Sequence, residues 1–316
     1  MNNLTVFSEF ILLGLSADPH AQALLFVLFL VIYLLTLMGN LVMIVVIRTD
    51  PHLHTPMYFF LRHLSFMDIC FSSVTMPKML QKKKNISLWG CITQSSFFML
   101  FGETENCLLS AMAYDRYAAI CHPLLYSMIM NRPLCITMVS VAWVMGFLYP
   151  LVNNLFIHKL HFCGSNTIPH FSCELPSLLP LSCTDPTANE LLLSGSTAFL
   201  GLLSVPLILF SYCRIISVIL SIHSSGGQGK AFSTCSSHLT AVPLFHGTGL
   251  FRYISPPSDS FLMQVVSIQY SVLTSLLNPI IYSLKNQKVK AALQKMLKQQ
   301  MHSLEEGVSV WCSVRK

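Results

Sequence analysis

The sequence predicts an all-α membrane protein, a bundle of seven transmembrane helices followed by a short amphipathic helix. The first observation is composition: 53% of the 316 residues are hydrophobic, 10% are charged, and the mean hydropathy is +0.61. Soluble globular chains contain roughly 25% charged residues. Thirteen acidic and nineteen basic residues do not cover a soluble globule of this size. The composition therefore excludes soluble enzymes and nucleic-acid-binding proteins, despite the net charge of +6.

The second observation is the number of long apolar segments. A spanning helix needs about 20 mostly apolar residues, because the hydrocarbon core is about 30 Å thick and each helical residue rises about 1.5 Å. Seven segments satisfy this requirement: Ala21–Ile47, Pro56–Leu80, Thr93–Ile120, Thr137–Ile157, Leu191–Ile222, Ser233–Tyr253 and Phe261–Leu284.

The third observation is a short amphipathic segment after the seventh span. Val289, Ala292, Leu293 and Met296 recur at helical spacing with lysines between them. A basic amphipathic helix lies in the membrane interface rather than across it. We expect a short helix on the inner leaflet.

Charge distribution predicts the orientation and the domain limits. Residues 1–20 contain two acidic and no basic residues, and they lack the basic n-region of a cleavable signal peptide. With this segment outside, thirteen of the nineteen Lys and Arg residues lie on the inner side, as the positive-inside rule expects. We expect an extracellular N-terminus (1–20), a seven-helix domain (21–284) and a cytoplasmic helix and tail (285–316) in the plasma membrane.

Two glycosylation sequons agree with that orientation. Asn3-Leu4-Thr5 and Asn85-Ile86-Ser87 both fall outside, and the second lies closer to the membrane.

Few charged residues lie inside the spans, where each costs about 2.5 to 3.5 kcal/mol on insertion scales. Asp68 lies in the second span, Glu103 and Glu105 lie in the third, and Asp115-Arg116 lies near the inner end of the third. No nucleophile with a positioned base, no phosphate-binding glycine loop and no metal-hydrolase motif is present. We expect neither enzymatic activity nor a resident cofactor.

A series of motifs occurs in order along the chain: Gly39-Asn40, Pro56–Leu61, Leu64–Asp68, Met112–Tyr117, Ile120-Cys121, Trp143, Ser211-Tyr212, Lys230–Leu239 and Asn278–Tyr282. Over almost its whole length the sequence resembles the rhodopsin-like G-protein-coupled receptors and, among them, the olfactory receptors. One departure is His246, which stands between Phe245 and Gly247 where these receptors usually have a tyrosine.

The resemblance implies a function and a set of activation residues. It implies that a small volatile odorant binds in the bundle and that a stimulatory olfactory G protein then raises cyclic AMP. Asp115 would hold Arg116 at rest, beside Tyr117, and Tyr212 and Tyr282 would stabilise the open form.

Asp68 and Glu105 are acids on neighbouring spans, and two bare carboxylates in a low dielectric repel each other unless one is protonated or a cation lies between them. The resemblance implies a sodium ion there. The alternative is one protonated, hydrogen-bonded acid without an ion. Asn40 and Asn278 lie at comparable depth and complete the expected polar network.

Glu103 points about 200° away from Glu105, so it needs another partner. It lies near mid-membrane, at the depth of His246, and we hypothesise that the two pair or give the odorant pocket a polar anchor. The alternative is a neutral Glu103 bonded to a backbone or hydroxyl group. By position, the remaining pocket residues are Met99, Gly102, Asn106, Ser196, Leu200, Leu250, Tyr253 and Ser271.

Four cysteines, Cys91, Cys163, Cys173 and Cys183, lie outside, where disulfides persist. Four cysteines allow three connectivities, and the resemblance implies Cys91–Cys173 and Cys163–Cys183. The nearby His158, His161 and His170 have spacings that a metal site uses, but oxidised cysteines are poor ligands, so we expect no metal there.

Two other functions are compatible with a bundle of spanning helices. A transporter would show repeated halves or paired broken helices, and the sequence shows neither. A receptor of the same fold that senses a metabolite outside the nose has the same chemistry, so tissue expression would distinguish it.

Overall fold

The computed structural model describes residues 9–16, 18–81, 85–163, 165–222, 224–254, 260–298 and 301. The sequon at Asn3 lies outside these ranges. Within them the chain is mostly helical. The long helices are α1 (Pro19–Thr49), α2 (Pro56–Leu80), α3 (Leu88–Cys121), α4 (Arg132–Asn153), α5 (Thr187–Ser221), α6 (Ser225–Ile254) and α7 (Ser260–Lys285), followed by α8 (287–298).

Each long helix coincides with one predicted segment, but the helix ends differ. α6 begins at Ser225 rather than Ser233, and α4 ends at Asn153 rather than Ile157. At the start of α6 the hydrogen-bonded helix extends into polar residues that hydropathy does not mark. At the end of α4 the apolar segment instead continues beyond the helix, into the turn at residues 154–156. Among the described residues, four helical stretches are long and apolar enough to cross a membrane: Pro19–Thr49, Arg132–Lys159, Thr187–Ser221 and Gln264–Ser283.

Capping side chains define where several helices begin. Asp18 accepts a hydrogen bond from the Ala21 backbone N–H at 2.8 Å, and Pro19 follows it as the first helical residue. Ser87 and Asn131 cap α3 and α4 in the same way. A polar side chain before the first turn satisfies an otherwise unpaired N–H group, which fixes the start of the helix.

α7 contains a π-helical turn. Its α-helical parts, Ser260–Ile268 and Thr274–Lys285, are joined by the π-helical residues Gln269–Leu273. Such a turn is one residue wider than an α-helical turn and is frequent at functional sites. It presents the Tyr270 ring to Phe71, Phe98 and Phe245 in the interior of the bundle.

α3 is the central helix of the bundle, packing against α2, α4, α5 and α6. α1 is peripheral and packs against α2 and α7. Large apolar side chains such as Leu24 and Met38 are exposed on α1. An apolar surface of this kind suits a lipid environment, where it need not be covered by other protein.

The structure also contains a small sheet that the sequence analysis missed. β1 (Glu9–Leu12) lies between β2 (Asn85–Ser87), to which it is antiparallel, and β3 (Thr167–Ile168), to which it is parallel. The apolar stretch after Glu9 is therefore a strand that begins the fold. Four residues give too short a pattern for a strand to be recognised from sequence.

Two disulfides fix the loop between α4 and α5. Cys91, in the first turn of α3, is bonded to Cys173, and Cys163 is bonded to Cys183. These are the two pairs that the family resemblance implies. The Phe10 ring of β1 packs edge-on against Phe162 of this loop, with ring centroids 5.5 Å apart. The loop and β1 thus form one packed layer over the outer ends of the helices.

Gly146 sets the close approach of α4 to α3, and we expect Gly146→Ala to destabilise the protein. A Cβ at Gly146 would collide with the Thr104 hydroxyl and lie 2.9 Å from the Leu100 carbonyl oxygen. Overpacking of this kind typically costs about 1 to 3 kcal/mol, so the melting temperature of purified protein should fall.

The matched control is Gly201→Ala in α5, because nothing lies within 4 Å of a Cβ at that helical glycine. Alanine also favours the helix by about 1 kcal/mol over glycine, so the control should be neutral or more stable. An equal loss of stability in both variants would contradict close packing at Gly146.

Candidate functional site

A buried ion pair lies at the inner end of α3. The Arg116 Nε atom donates to Asp115 Oδ2 at 2.9 Å, and its Nη2 atom donates to the same oxygen. Asp115 is fully buried, and Arg116 is 8% exposed. Both groups are therefore largely removed from water, and the arginine is held by its neighbour in the chain.

Tyr126 completes this ion pair from the segment between α3 and α4. Its hydroxyl donates to Asp115 Oδ1 at 2.8 Å, so each carboxylate oxygen accepts a hydrogen bond. Burial raises the pKa of the Tyr126 hydroxyl, and the Asp115 charge raises it further. The hydroxyl therefore stays protonated and acts as a donor.

The three tyrosines that the sequence analysis expected to take part in activation have different contacts. The Tyr212 hydroxyl is hydrogen-bonded to His238 Nδ1. Tyr117 contacts His122 Nε2 at 3.1 Å. Tyr282 is fully buried, and its hydroxyl has no hydrogen-bond partner among the described residues. The Tyr212–His238 bond joins the inner halves of α5 and α6.

A second polar cluster joins α2, α3 and α7. The Asn278 Nδ2 atom donates to both oxygens of Asp68, at 3.1 and 3.2 Å, and lies 3.4 Å from Glu105 Oε1. Both carboxyl groups are about 1% exposed. The amide of Asn278 therefore lies between the two acids and gives each of them a donor.

Asn40 does not join this cluster in the expected way. Its Nδ2 atom donates to the backbone carbonyls of Thr36 and Ser275 at 3.0 Å, and the carboxylates receive no bond from it. It thereby links α1 to α7. Its Oδ1 atom is buried without a partner among the described residues, so this oxygen could still accept a hydrogen bond or bind a cation.

A third polar group lies midway along α3. The Asn106 Nδ2 atom donates to the two oxygens of Glu103 at 3.3 and 3.4 Å, and Cys107 Sγ lies 3.3 Å from Glu103 Oε1. On its other side, Asn106 Oδ1 lies 3.1 Å from His246 Nε2. Of the two hypotheses for Glu103 and His246, the structure does not contain the direct pair: Asn106 bridges the two side chains, and the polar-anchor hypothesis stays a prediction.

Two arrangements satisfy the hydrogen bonds of the polar chain formed by the Glu103, Asn106 and His246 side chains. A protonated His246 donates to the Val242 carbonyl, 3.2 Å from Nδ1, and to Asn106 Oδ1, while the Asn106 amide donates to an ionised Glu103. With the amide turned over, a neutral His246 accepts from Asn106, and a protonated Glu103 donates to it. The orientation of an amide follows its hydrogen-bond network, so one proton and one amide rotation separate the two arrangements.

The other residues expected to line a pocket lie in varied surroundings. Met99 and Leu200 are buried, Ser196 bonds to Asn153 at 3.1 Å, and Ser271 donates to a backbone carbonyl of its own helix. The side chains of Leu250 and Tyr253 lie outside the described part of the chain.

Gly102 does not leave open space for a ligand. A Cβ on this residue would collide with the Tyr270 hydroxyl, so the tyrosine already occupies the volume beside the glycine. Two cavities, of about 420 and 510 Å³, are found elsewhere, and none of the ten expected pocket residues lines either of them. Beside Gly102, the space next to the polar chain around Glu103 is therefore filled by Tyr270.

The loop that covers the outer end of the bundle contains a buried histidine. The Ser172 backbone N–H donates to His170 Nδ1 at 3.3 Å, and His170 Nε2 lies 3.8 Å from Glu174 Oε1. Within the described ranges, no three His, Cys, Asp or Glu residues are placed to hold a metal ion. The contacts of His170 that the structure describes are to Phe171, Ser172 and Glu174 of the same loop.

Sequence reasoning missed two polar residues that the structure places at the inner end. Tyr126 is separated from Asp115 by the end of α3, and His238 was treated only as part of a motif. Helical periodicity relates residues within one helix and does not report contacts between a loop and a helix. Neither residue could be assigned from spacing alone.

Comparisons with known proteins are consistent with these features. The family model described as olfactory receptor matches residues 29–300. Olfactory receptor 8S1 of Homo sapiens is 51% identical over 317 residues, which cover 98% of this chain and 88% of the relative. Olfactory receptor 1E16 of Mus musculus is 48% identical, and olfactory receptor 1G1 of Gorilla gorilla gorilla is 50% identical; each alignment covers 93% of this chain and 96% of the relative.

The Asn278 amide should be needed for stability, because it is the donor shared by two buried acids. Asn278→Leu removes that donor, and an unsatisfied buried polar group costs about 1 to 3 kcal/mol. We expect a lower melting temperature in detergent and a smaller surface-expressed fraction.

The rescue variant is Asp68→Asn in the Asn278→Leu background, since it removes one of the two acids that lost their donor. A partial recovery of the melting temperature is expected. If Asn278→Leu alone melts at the wild-type temperature, the amide does not hold the two acids together.

Proposed function

Because the chain belongs to the olfactory receptor family, we propose that it binds small odorants within the helix bundle and transmits binding to a stimulatory olfactory G protein, which raises cyclic AMP. The observation that supports this function is that α3 carries two buried groups of polar side chains. One lies midway along the helix, at Glu103, and the other lies at its inner end, at Asp115 and Arg116.

The proposed topology is a bundle of seven spans in the plasma membrane. Residues 1–20 lie outside the cell, and residues 285–316 lie in the cytoplasm. Two features support it. The disulfides Cys91–Cys173 and Cys163–Cys183 belong on an oxidising, extracellular face. At the opposite end of the bundle, Arg116 and the basic helix α8 would face the cytoplasm.

The proposed odorant contact is the polar chain of Glu103, Asn106 and His246. A mostly apolar pocket with a few placed polar groups orients a small ligand. An odorant with a hydrogen-bonding group would bind beside Asn106 and replace one of the hydrogen bonds between Glu103, Asn106 and His246. Because the Tyr270 hydroxyl fills the volume beside Gly102, an odorant that used this space would have to displace the Tyr270 ring.

Activation is proposed to release Arg116 from Asp115. A ligand shifts the equilibrium only by its difference in affinity for the two states. The Tyr126 hydroxyl adds to the stability of the resting state, because it donates a hydrogen bond to Asp115, which is the ion-pair partner of Arg116. The freed Arg116, Tyr212 and Tyr282 would form the inner surface that meets the G protein, with α8 beside it and Tyr117 at its edge.

A sodium ion is proposed as a modulator at Asp68 and Glu105. The residues present fit a hard cation, because such ions prefer oxygen ligands and the buried Asn40 Oδ1 has no other partner among the described residues. The ion would supply the positive charge that two neighbouring carboxylates need. The protein contributes the two acids and the Asn278 amide that orients them.

Odorant selectivity should depend on Glu103, because it anchors the polar chain. We expect Glu103→Gln to reduce the potency of one odorant class, amines, acids or neutral molecules, by about tenfold, which corresponds to about 1.4 kcal/mol. The measurement is a cyclic AMP dose–response in cells with equal surface receptor levels.

The matched control is Glu190→Gln, since Glu190 is an exposed glutamate near the outer end of α5. Arg116→Ala should abolish the response to every odorant. If Glu103→Gln and His246→Tyr leave the potency of every active odorant unchanged, the polar chain is not the anchor.

Basal signalling should rise when Tyr126 loses its hydroxyl. Tyr126→Phe removes one hydrogen bond to a buried carboxylate, and bonds to charged groups are worth about 1.5 to 3 kcal/mol. A bond made only at rest would shift the equilibrium toward the active form by about tenfold or more, so ligand-free cyclic AMP should increase.

Tyr114→Phe is the control for this experiment, because the Tyr114 ring also lies on inner α3 but its hydroxyl makes no hydrogen bond in the described structure. Its basal signal should equal that of the wild type. Equal basal signals in both variants, at equal surface level, would exclude a resting-state role for Tyr126.

A further inference from the structure

A groove of about 510 Å³ lies between α1, α2 and α4, away from the polar chain and from the ion pair. Its lining combines two arginines, a histidine, two aromatic residues and one aliphatic residue: Ile44, Arg48, Arg62, His63, Phe66 and Trp143. None of these residues has a role in the function proposed above.

The two arginines of the groove have no acidic partner. Among the described residues, neither Arg48 nor Arg62 lies within ion-pairing distance of a carboxylate, and neither side chain makes a hydrogen bond to the protein. The Arg62 guanidinium lies 5.5 Å from the centre of the Phe59 ring. The face of the Phe59 ring stabilises the Arg62 cation. This contact satisfies none of the five N–H donors of the guanidinium.

The polar and apolar residues of the groove are separated along the helix axes. Arg48 is the penultimate residue of α1, and Arg62 lies about 9 Å from the start of α2 at Pro56. Ile44 and Phe66 lie one turn further from these helix ends. Trp143 lies about 16 Å into α4. The groove is thus cationic near the inner helix ends and apolar further in.

This arrangement matches a phospholipid of the inner leaflet, with phosphate at the arginines and an acyl chain against Phe66 and Trp143. Guanidinium groups bind phosphate oxygens in a bidentate manner, and basic pockets between helices on the cytoplasmic side bind anionic headgroups. A simple phosphodiester has one negative charge. Two unpaired arginines beside His63 favour a headgroup with additional phosphate groups.

We propose that this groove is a binding site for one inner-leaflet phospholipid with a polyphosphorylated headgroup, held by Arg48 and Arg62. The proposal rests on the cytoplasmic placement of these helix ends in the proposed topology. It needs neither an odorant nor a G protein, so it stands or fails separately from signalling.

The test is native mass spectrometry of full-length receptor with phosphatidylinositol bisphosphate, phosphatidylserine or phosphatidylcholine added in turn. The wild type should retain one bisphosphate lipid at concentrations where phosphatidylcholine is lost. The double variant Arg48→Gln/Arg62→Gln should bind that lipid at least tenfold more weakly. Arg214→Gln, at an exposed arginine of inner α5 outside the groove, should bind it as the wild type does.

Three results would overturn the proposal: unchanged binding in the double variant, an equal loss in Arg214→Gln, or equal retention of phosphatidylcholine by the wild type. A stronger retention of phosphatidylserine than of the bisphosphate lipid would also overturn it. If the double variant does not fold, Arg62→Lys provides the test. It keeps the charge and loses the bidentate geometry, so weaker binding with an unchanged melting temperature is expected.

Discussion

The Asn278 amide is the contact on which the arrangement of the bundle depends. Two carboxyl groups, on α2 and α3, lie within reach of one α7 side chain, and both acids are about 1% exposed. A charged or polar group inside a membrane must find its partner within the protein. The positions of three helices are therefore coupled through a few hydrogen bonds, and any rotation of α7 changes the surroundings of both acids.

α3 connects the proposed ligand site to the inner surface. Glu103 and Glu105 lie on opposite sides of this helix, and the Asp115–Arg116 pair lies at its inner end. Because a helix is stiff along its axis, a displacement near Glu103 is felt both by the Asp68 cluster and by the inner ion pair. In the proposed function, odorant binding, ion sensitivity and G-protein coupling would all depend on this one helix, which has different neighbours at each level.

The periodicity and hydropathy of the sequence were sufficient to locate the long helices, because each apolar segment is much longer than the few residues by which its predicted ends differ from the helix ends. They were not sufficient for contacts between elements. The opposite directions of Glu103 and Glu105 followed from helix geometry, yet the bridging role of Asn106 and the contact of Tyr126 with Asp115 depend on how separate segments pack. Asn40 was expected to complete the polar network of the two acids, but its amide donates to backbone carbonyls.

The position of β1 in its sheet has a consequence for the order of folding. β1 has a partner on each side, and the second of these, β3, is synthesised only after α4 is complete. The N-terminal segment must therefore remain unpaired on one edge while half of the chain is made. Closing such a long loop is a slow, entropically costly step. Maturation of the outer layer is thus a late event, and a polypeptide that stops before Thr167 would present an open strand edge at its N-terminus.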